Sequence, residues 1–441
     1  MSDAAAPGDK NAKKMNGQAQ KKIDRRDFLS GTVGLGLLFG ARVYAEEFAP
    51  GPAKATNPNA PTVVCAVIGL GEQGRAILTA LGNASGVTVK YICDSYENIH
   101  ARAQEIAPKA QAVADYKKIL DDKSVQAVWI ATPTHLHKDI AVAALQAGKH
   151  VFCEAPLAST IEDARAIAKA AQAAEKQIFH SGLQERTNPQ HKHVLQFIRT
   201  EALGEMTQAR SHWHKRVSWR RQAPTDERQK ALNWRLSKET STGLAGEIGV
   251  HHVDTANYFL KARPLSVTGF GGVMAWKDGR DVADTVQCIY QYPGGINYFF
   301  DATLSNSYDG TAQIFQGTEA AVMVRDQRAW MFKEADARAL GWEVYAYKEK
   351  VAEDTGIALV ADATKILSAG KNPGENRDVN PKETQLFHAC EAFLNSIRDG
   401  SGKKWRCGAL EGFQATVCAI KANEAIVTGK KIDFQKEWFE I

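Results

Sequence analysis

The stretch Val67–Gly74, VIGLGEQG, contains Gly69-x-Gly71-x-x-Gly74. Glycines at this spacing, between a strand and a helix, suit a loop that holds a dinucleotide. Gly69 permits the tight turn, Gly71 lets backbone approach a pyrophosphate, and Gly74 lets helix and strand pack closely. The pyrophosphate would rest on the helix N-terminus, where free N–H groups and the helix dipole favour an anion. Glu72 and Gln73 lie inside this loop and are expected beside the cofactor. Asp94 stands twenty residues after Gly74, at the end of the next apolar run, where an acid accepts from the ribose hydroxyls. A carboxylate there repels a 2′-phosphate, so NAD is expected rather than NADP. Ala131-Thr132-Pro133-Thr134-x-x-His137 and Cys153-Glu154-Ala155-Pro156 end further apolar runs. Thr132, Pro133, His137, Glu154 and Pro156 are therefore expected at the same crevice, since open parallel sheets bind ligands at strand C-termini.

A second group lies in Gly246-Glu247-x-Gly249-x-His251-x-x-Asp254. On a continuous helix Glu247 and His251, at i and i+4, would share a face, and the carboxylate could orient the imidazole. His251 is then a candidate acid/base, because imidazole titrates near neutral pH. The same spacing also suits an acid beside a packing histidine. His252 would point about 100° away from that pair. Ser211–Trp219, SHWHKRVSW, alternates like a strand, with His212 and His214 on one face and Trp213 on the other. Two such histidines could begin a metal site, but no third ligand has a convincing position, so no metal is expected. Aromatic rings such as Trp213 and Trp219 could stack on a sugar, with His214, Arg220 and Arg221 bonding hydroxyls; simple strand packing fits the run equally.

The elements that must position these residues follow a clear order. From Thr62 to about Gln184, strand-like runs alternate with helices of ten or more residues, which implies a parallel, doubly wound Rossmann sheet. Ser159-x-x-Glu162 reads as a capping box for one of those helices. After Gln184 the rhythm changes to a run of strands with hairpin turns, Pro293-Gly294-Gly295 being the clearest. That predicts a second α/β domain built on a large, mainly antiparallel open sheet. The helices GEIGVHHVDTANYFL, ETQLFHACEAFLNSIRD and ALEGFQATVCAIKANEAIVTG are expected to pack around that second sheet, and residues 348–382 to form a long surface excursion. The organisation expected is a leader at 1–45, a Pro/Ala linker at 46–61, a cofactor domain at 62–184 and a substrate and oligomerisation domain at 185–441.

The chain of 441 residues is long enough for two cores. Its formal charge is +5. Residues 1–45 alone carry a net +4, which leaves +1 for the remainder. A nearly neutral body gives no support for a nucleic-acid partner. The leader has Lys21 and Lys22, then Arg25-Arg26 with Phe28 and Leu29, an apolar run, and Val43-Tyr44-Ala45. Paired arginines before a short apolar run and a small-x-small site resemble a twin-arginine export signal, so an exported, periplasmic location and the export machinery as partner are expected. The seven cysteines form no CxxC pair. Cys65, Cys93 and Cys153 lie in apolar runs and read as small core residues rather than a disulfide framework.

GLGEQG, ATPTHLH, CEAP and the Gly246–Asp254 motif occur in the order found in the Gfo/Idh/MocA family, which the chain resembles from about residue 62 to its end. The resemblance implies a Rossmann domain, a C-terminal α/β domain, a sugar or polyol substrate in a cleft between them, and a homo-oligomer, dimer or tetramer, joined through the C-terminal sheet. It also implies Arg186, in QERTNP, as a substrate-side residue; Asp254, one turn beyond His251, is expected on the substrate side or in a structural role. Two positions depart from the family pattern. Ala155 stands where the family usually has a lysine that positions substrate and passes a proton, and Glu247 stands where inositol-type members have Asp. The reading expected first is an NAD-dependent sugar or polyol oxidoreductase whose cofactor is held tightly and recycled in place. A redox-neutral glycosidase of the same family, working by transient oxidation, elimination and water addition, is the alternative. An exported sugar-binding protein with an inert cofactor comes after both.

Overall fold

The computed structural model describes residues 61–360 (except 326, 327, 342, 344 and 345), 382–400 and 407–441. The expected leader, the linker up to Ala60 and much of the 348–382 excursion lie outside the described residues. The first half alternates strand and helix: β1 (Val63–Ile68), α1 (Glu72–Asn83), β2 (Val87–Cys93), α2 (His100–Ile106), β3 (Gln111–Val113), α3 (Lys117–Asp121), β4 (Ala127–Ile130), α4 (His137–Gln146), β5 (His150–Cys153), α5 (Ile161–Ala173) and β6 (Phe179–Ser181). Strand order is β3-β2-β1-β4-β5-β6, with every neighbouring pair parallel. The central strands are apolar because both faces are covered; all four residues of β4 are buried. The order reverses between β1 and β4, so the loops after β1, β2, β4 and β5 border one crevice. Helix α5 starts differently from its sequence reading. Its N-cap is Thr160, whose hydroxyl accepts from the Asp163 amide, and not Ser159.

Beyond β6 the chain forms α6 (Pro189–Arg199), β7 (Met206–His214), α7 (Asp226–Leu232), α8 (Gly243–Glu247), α9 (Gly249–Leu260), then β8 (Ser266–Gly272), β9 (Thr285–Gln291), β10 (Asn297–Thr303), β11 (Thr311–Gly317), β12 (Ala320–Arg325), β13 (Arg328–Lys333), β14 (Lys348–Val351) and β15 (Asp354–Ala358). Helices α10 (Gln385–Asp399) and α11 (Ala409–Thr428) and the short strand β16 (Ile432–Asp433) follow. The ten strands run in the order β14-β15-β13-β12-β11-β7-β10-β9-β8-β16. Pairing is antiparallel except between β7 and β10. Strands β9 and β10 alternate strictly: Val286, Cys288, Tyr290, Tyr298 and Phe300 are buried beneath helices, while Ile289, Phe299 and, on β8, Phe270 are exposed on the other face. Gly294 and Gly295, at φ of 78° and 81°, make the turn between them.

Two expectations about packing are corrected. Residues 348–358 are not a loose excursion but the β14–β15 hairpin, which adds to the sheet edge at β13. Helix α10 packs against α1 and β1 rather than around the second sheet. Its Leu386, Phe387, Cys390, Phe393 and Leu394 share one buried cluster with Val67, Ile77, Leu81 and Trp129 of the first sheet's layer. The 184/185 cut falls where one sheet ends and the next begins, yet residues 55–441 form one compact unit. Helix α11 lies against both parts, touching α5, α8, α9 and β8. All seven cysteines are buried and unbridged. Burial pushes the thiols of Cys93, Cys288, Cys407 and Cys418 up to about 12, which leaves them unreactive core residues. No helix among the described residues is long and apolar enough to cross a membrane.

Candidate active site

The glycine loop after β1 has a separate physical reason for each glycine. Gly69 has φ of 91°, and a Cβ there would lie 2.6 Å from the Ala131 carbonyl. A Cβ on Gly74 would lie 1.8 Å from the Gly69 oxygen. A Cβ on Gly71 would meet nothing within 4 Å, so this glycine keeps open a space the protein itself does not fill. No side chain caps the N-terminus of α1; its amides remain available to an anion. Asp94 sits beside the loop, accepting from the Leu70 amide at 2.9 Å and from the Tyr96 amide at 2.9 Å. Both its oxygens keep a second lone pair for a ribose hydroxyl. The open cradle, the uncapped helix and the anchored acid fit a dinucleotide.

The other residues expected at the crevice divide into two kinds. The Thr132–Thr134 loop follows β4, and the Thr132 hydroxyl is buried without a hydrogen-bond partner. Pro133 leads into the turn Thr134–Leu136. His137 is not a cofactor contact. Its ring nitrogens lie 2.9 Å from the Thr132 carbonyl and 3.1 Å from the Pro156 carbonyl. Burial lowers its pKa to about 4, so the neutral ring donates to one of these two carbonyls and packs against the other between the crevice loops. Gln73 donates to Glu154 at 2.9 Å, which ties the glycine loop to the end of β5. Burial raises the Glu154 carboxyl to about 7.

The expected Glu247–His251 pair does not form. Glu247 ends α8, Ile248 breaks the helix with φ −107° and ψ −46°, and His251 belongs to α9. Glu247 is buried and accepts from the Thr134 hydroxyl (3.1 Å), the Thr242 amide (3.1 Å) and the Thr242 hydroxyl (2.8 Å), with Arg235 at 3.9 Å. It is a tie between the β4 loop and the second half of the chain. The carboxylate facing His251 is Glu185, at 3.5 Å from Nδ1. Sequence reasoning passed over Glu185 in favour of its neighbour Arg186. Burial alone would lower the His251 pKa, but the Glu185 carboxylate outweighs it and the net shift is upward. Burial would likewise raise Glu185, yet His251 brings it down to about 2. Both shifts favour the charged pair.

Glu185 and His251 open onto a cleft of about 260 Å³ whose lining also includes His191, Trp213, His252 and Gln313. No lysine lines it. Both ring nitrogens of His191, Nδ1 of His252 and Oε1 of Gln313 are buried without hydrogen-bond partners. Burial keeps His191 and His252 neutral, the latter down to about 3. His252 thus joins the cleft wall, contrary to the expectation from helix angle, because it leans on Phe300 of β10 at 5.2 Å.

The expected substrate residues fall in several places. Arg186 is not open to a ligand: it makes two 2.8 Å bonds to Asp254, whose side chain is 1% exposed. That pair fastens the Gln184–Arg186 turn to α9. His214 shares a face with His212, as expected, but it is the outer face. There it bonds Asp301 at 2.6 Å and the Tyr308 carbonyl at 2.8 Å, while Trp213 faces the cleft. Trp219 stands outside the cleft beside Arg235, whose guanidinium is 5.7 Å from its ring. Ala155 nestles against Leu183, Val250, Cys407, Ala415 and Ala419. Among the described residues, no cluster of three or more His, Cys, Asp or Glu could hold a metal.

Residues 63–182 match the GFO/IDH/MocA model described as an oxidoreductase family with an NAD-binding Rossmann fold, and residues 191–323 match the GFO/IDH/MocA C-terminal domain. Levoglucosan dehydrogenase of Pseudarthrobacter phenanthrenivorans is 27% identical over 263 residues, 54% of this chain and 65% of that protein. Inositol 2-dehydrogenase of Salmonella typhimurium is 33% identical over 146 residues, 33% of this chain and 44% of that protein. A glycosyl hydrolase family 109 protein of Shewanella putrefaciens is 27% identical over 219 residues, 45% of this chain and 47% of that protein. The chain therefore spans less than two thirds of each of these relatives. A solved structure of levoglucosan dehydrogenase with NADH and levoglucosan superposes with a TM-score of 0.68 at 21% identity, covering 84% of this chain and 99% of that one, a likeness of fold.

Proposed function

Since the chain belongs to the Gfo/Idh/MocA oxidoreductase family, we propose that it is an NAD-dependent oxidoreductase acting on a hydroxyl of a neutral sugar or polyol. The observation that carries the reading is the Glu185–His251 pair, which lines a cleft and lies within electrostatic reach of Glu154, the residue bonded to Gln73 of the glycine loop. A bound nicotinamide supplies the hydride chemistry. The protein's part is to move the hydroxyl proton and hold the ring. His251 has its charge supported by Glu185. As imidazolium it donates to a carbonyl oxygen being reduced; once deprotonated it accepts from a hydroxyl being oxidised. The cleft wall supports a neutral ligand. His191 and His252 are neutral, Gln313 offers an amide, Glu185 is balanced by His251, and Arg325, which also lines the cleft, is held by Asp309 at 2.6 Å, so each charge among the described lining residues already has a partner. Trp213 offers a ring face to the apolar side of a sugar. Asp94 supports NAD over NADP.

Ala155, with no lysine among the described residues of the cleft, favours a second reading, the redox-neutral glycosidase, in which the hydride returns to the substrate. Export by the twin-arginine route belongs to the same proposal. It rests on Arg25-Arg26 before the apolar run, and tightly held cofactor is its corollary. Assembly as a dimer or tetramer is supported by exposed Phe270, Ile289 and Phe299 on the outer sheet face. The test is to denature purified protein, assay the supernatant for nicotinamide dinucleotide, and then supply the folded protein with neutral sugars, uronates and glycosides without added NAD. Released NAD and conversion of a neutral sugar support the proposal; no dinucleotide at all would sink it.

A further inference from the structure

Residues 216–236 are not one of the crevice loops, yet they reach three of them. Arg221 Nη2 lies 3.0 Å from Glu72, the first residue of α1 at the glycine loop. The Arg228 guanidinium sits 3.9 Å from the ring of Tyr96, two residues beyond Asp94. The Trp234 ring packs 6.1 Å from His135 in the loop after β4, and Arg235 stacks on Trp234 at 4.4 Å. These loops follow β1, β2 and β4, three adjacent strands, so one segment crosses the mouth of the dinucleotide crevice from the ribose acid to the far side.

The two sides of this segment are held very differently. On the side of the β8–β9 connection, the Arg280 side chain, 1% exposed, donates to the Ser218 carbonyl at 2.6 Å and to Asp278. Asp278 also takes Arg220 at 2.8 Å. Asn233 closes the segment on itself, accepting from the Arg221 amide at 2.7 Å and donating to its carbonyl at 2.8 Å. The far end is fixed where Asp281 donates its amide to the Leu236 carbonyl. On the cofactor side, the contacts at Glu72 and Tyr96 are an exposed ion pair and a cation–π contact. Each is worth at most about 1 kcal/mol. A braced arm with weak tips can let go without unfolding its base.

We propose that residues 216–236 form a clasp over the dinucleotide, and that Arg221 and Arg228 set how long the cofactor stays bound. The inference rests on the NAD reading above. Arg221 also offsets the negative charge that Glu72 brings next to a pyrophosphate.

The experiment follows NADH release by nicotinamide fluorescence after chase with excess NAD, on the full protein. Arg221→Ala and Arg228→Ala should each speed release by about threefold to fivefold, and the double variant by roughly tenfold or more, as expected from losing up to 1 kcal/mol per contact. Arg221→Lys keeps a charge opposite Glu72 and should stay near the wild-type rate. Stability without cofactor, read from melting, should fall by no more than about 1 kcal/mol per contact removed, because neither arginine belongs to the core. Bound NADH with release unchanged within twofold in the double variant overturns the clasp alone. A wild-type protein that takes up no NADH overturns the dinucleotide reading and the clasp with it.

Discussion

Glu185 Oε2 faces His251 Nδ1 at 3.5 Å, across a gap of 66 residues in the chain. Glu247, four residues before His251, faces Thr134 and Thr242 instead. The charge on His251 is therefore supported first by the turn after β6, with Glu154 and Asp254 adding to it, and not by Glu247.

Glu185→Gln removes the charge that raises the His251 pKa. If oxidation needs neutral His251, the wild-type rate climbs as pH passes a midpoint above 6.5, and the variant's midpoint should lie lower. A pH profile of kcat/KM for both proteins checks this, and superimposable profiles would assign the pairing elsewhere.

The same pair makes a pH signature in stability. Glu185, lowered from 4.5 to about 2, contributes stability above pH 4.5 that is lost as pH falls toward 2. His251, raised above 6.5, contributes stability below 6.5 that is lost as pH rises through its folded value. Urea melts of wild type against Glu185→Gln should differ most between about pH 4.5 and 6.5. A difference that grows steadily toward alkaline pH would contradict the assignment.

Glu247→Ala leaves the Thr134 hydroxyl and the Thr242 amide without their acceptor. Stability should fall by about 1–3 kcal/mol for stranded buried donors, while the pH midpoint of whatever activity remains should not move. A shifted midpoint with normal stability would return Glu247 to the proton-transfer group.

His191→Ala and Gln313→Ala remove hydroxyl partners from the cleft wall. KM for a neutral sugar should rise about tenfold for each, the scale of one hydrogen bond to a ligand, with kcat changed far less. Equal losses in kcat, with KM constant, would place these residues at the reacting carbon.

Gly71→Val should separate cofactor binding from folding. The space beyond Gly71 is open, so the apo protein should melt within about 1 kcal/mol of wild type, as substitutions away from packed positions do. NADH affinity should be lost. Gly74→Ala, whose Cβ would collide with the Gly69 carbonyl, should instead fail in folding. Export has its own check: precursor carrying Arg25→Lys and Arg26→Lys should stay in the cytoplasm, and normal export of that form would reject the twin-arginine route.

The glycine loop was readable in the sequence because its requirements are local: a left-handed φ at Gly69, no room for a side chain at Gly74, empty space at Gly71. The two sheets were readable for the same reason, since burial of strands imposes periodicity. The site was not, because its geometry depends on long-range placement. An i, i+4 spacing does not reveal the break at Ile248. Strand alternation puts His212 and His214 on one face without saying which face is the cleft. Arg186 and Asp254 are 68 residues apart, and only the fold shows that they spend their charges on each other.

Helix α10 has a consequence for how the chain is made. The layer that covers one side of the Rossmann sheet contains Phe387, Cys390 and Phe393. A ribosome delivers those residues only after every strand of the second sheet but β16 has been made. Until then, the apolar flank of α1 and β1 waits without its lid, and the first domain to be synthesised is among the last to be finished. Premature termination anywhere before Leu386 would leave that flank bare, offering chaperones and proteases a long apolar strip instead of a smaller working enzyme.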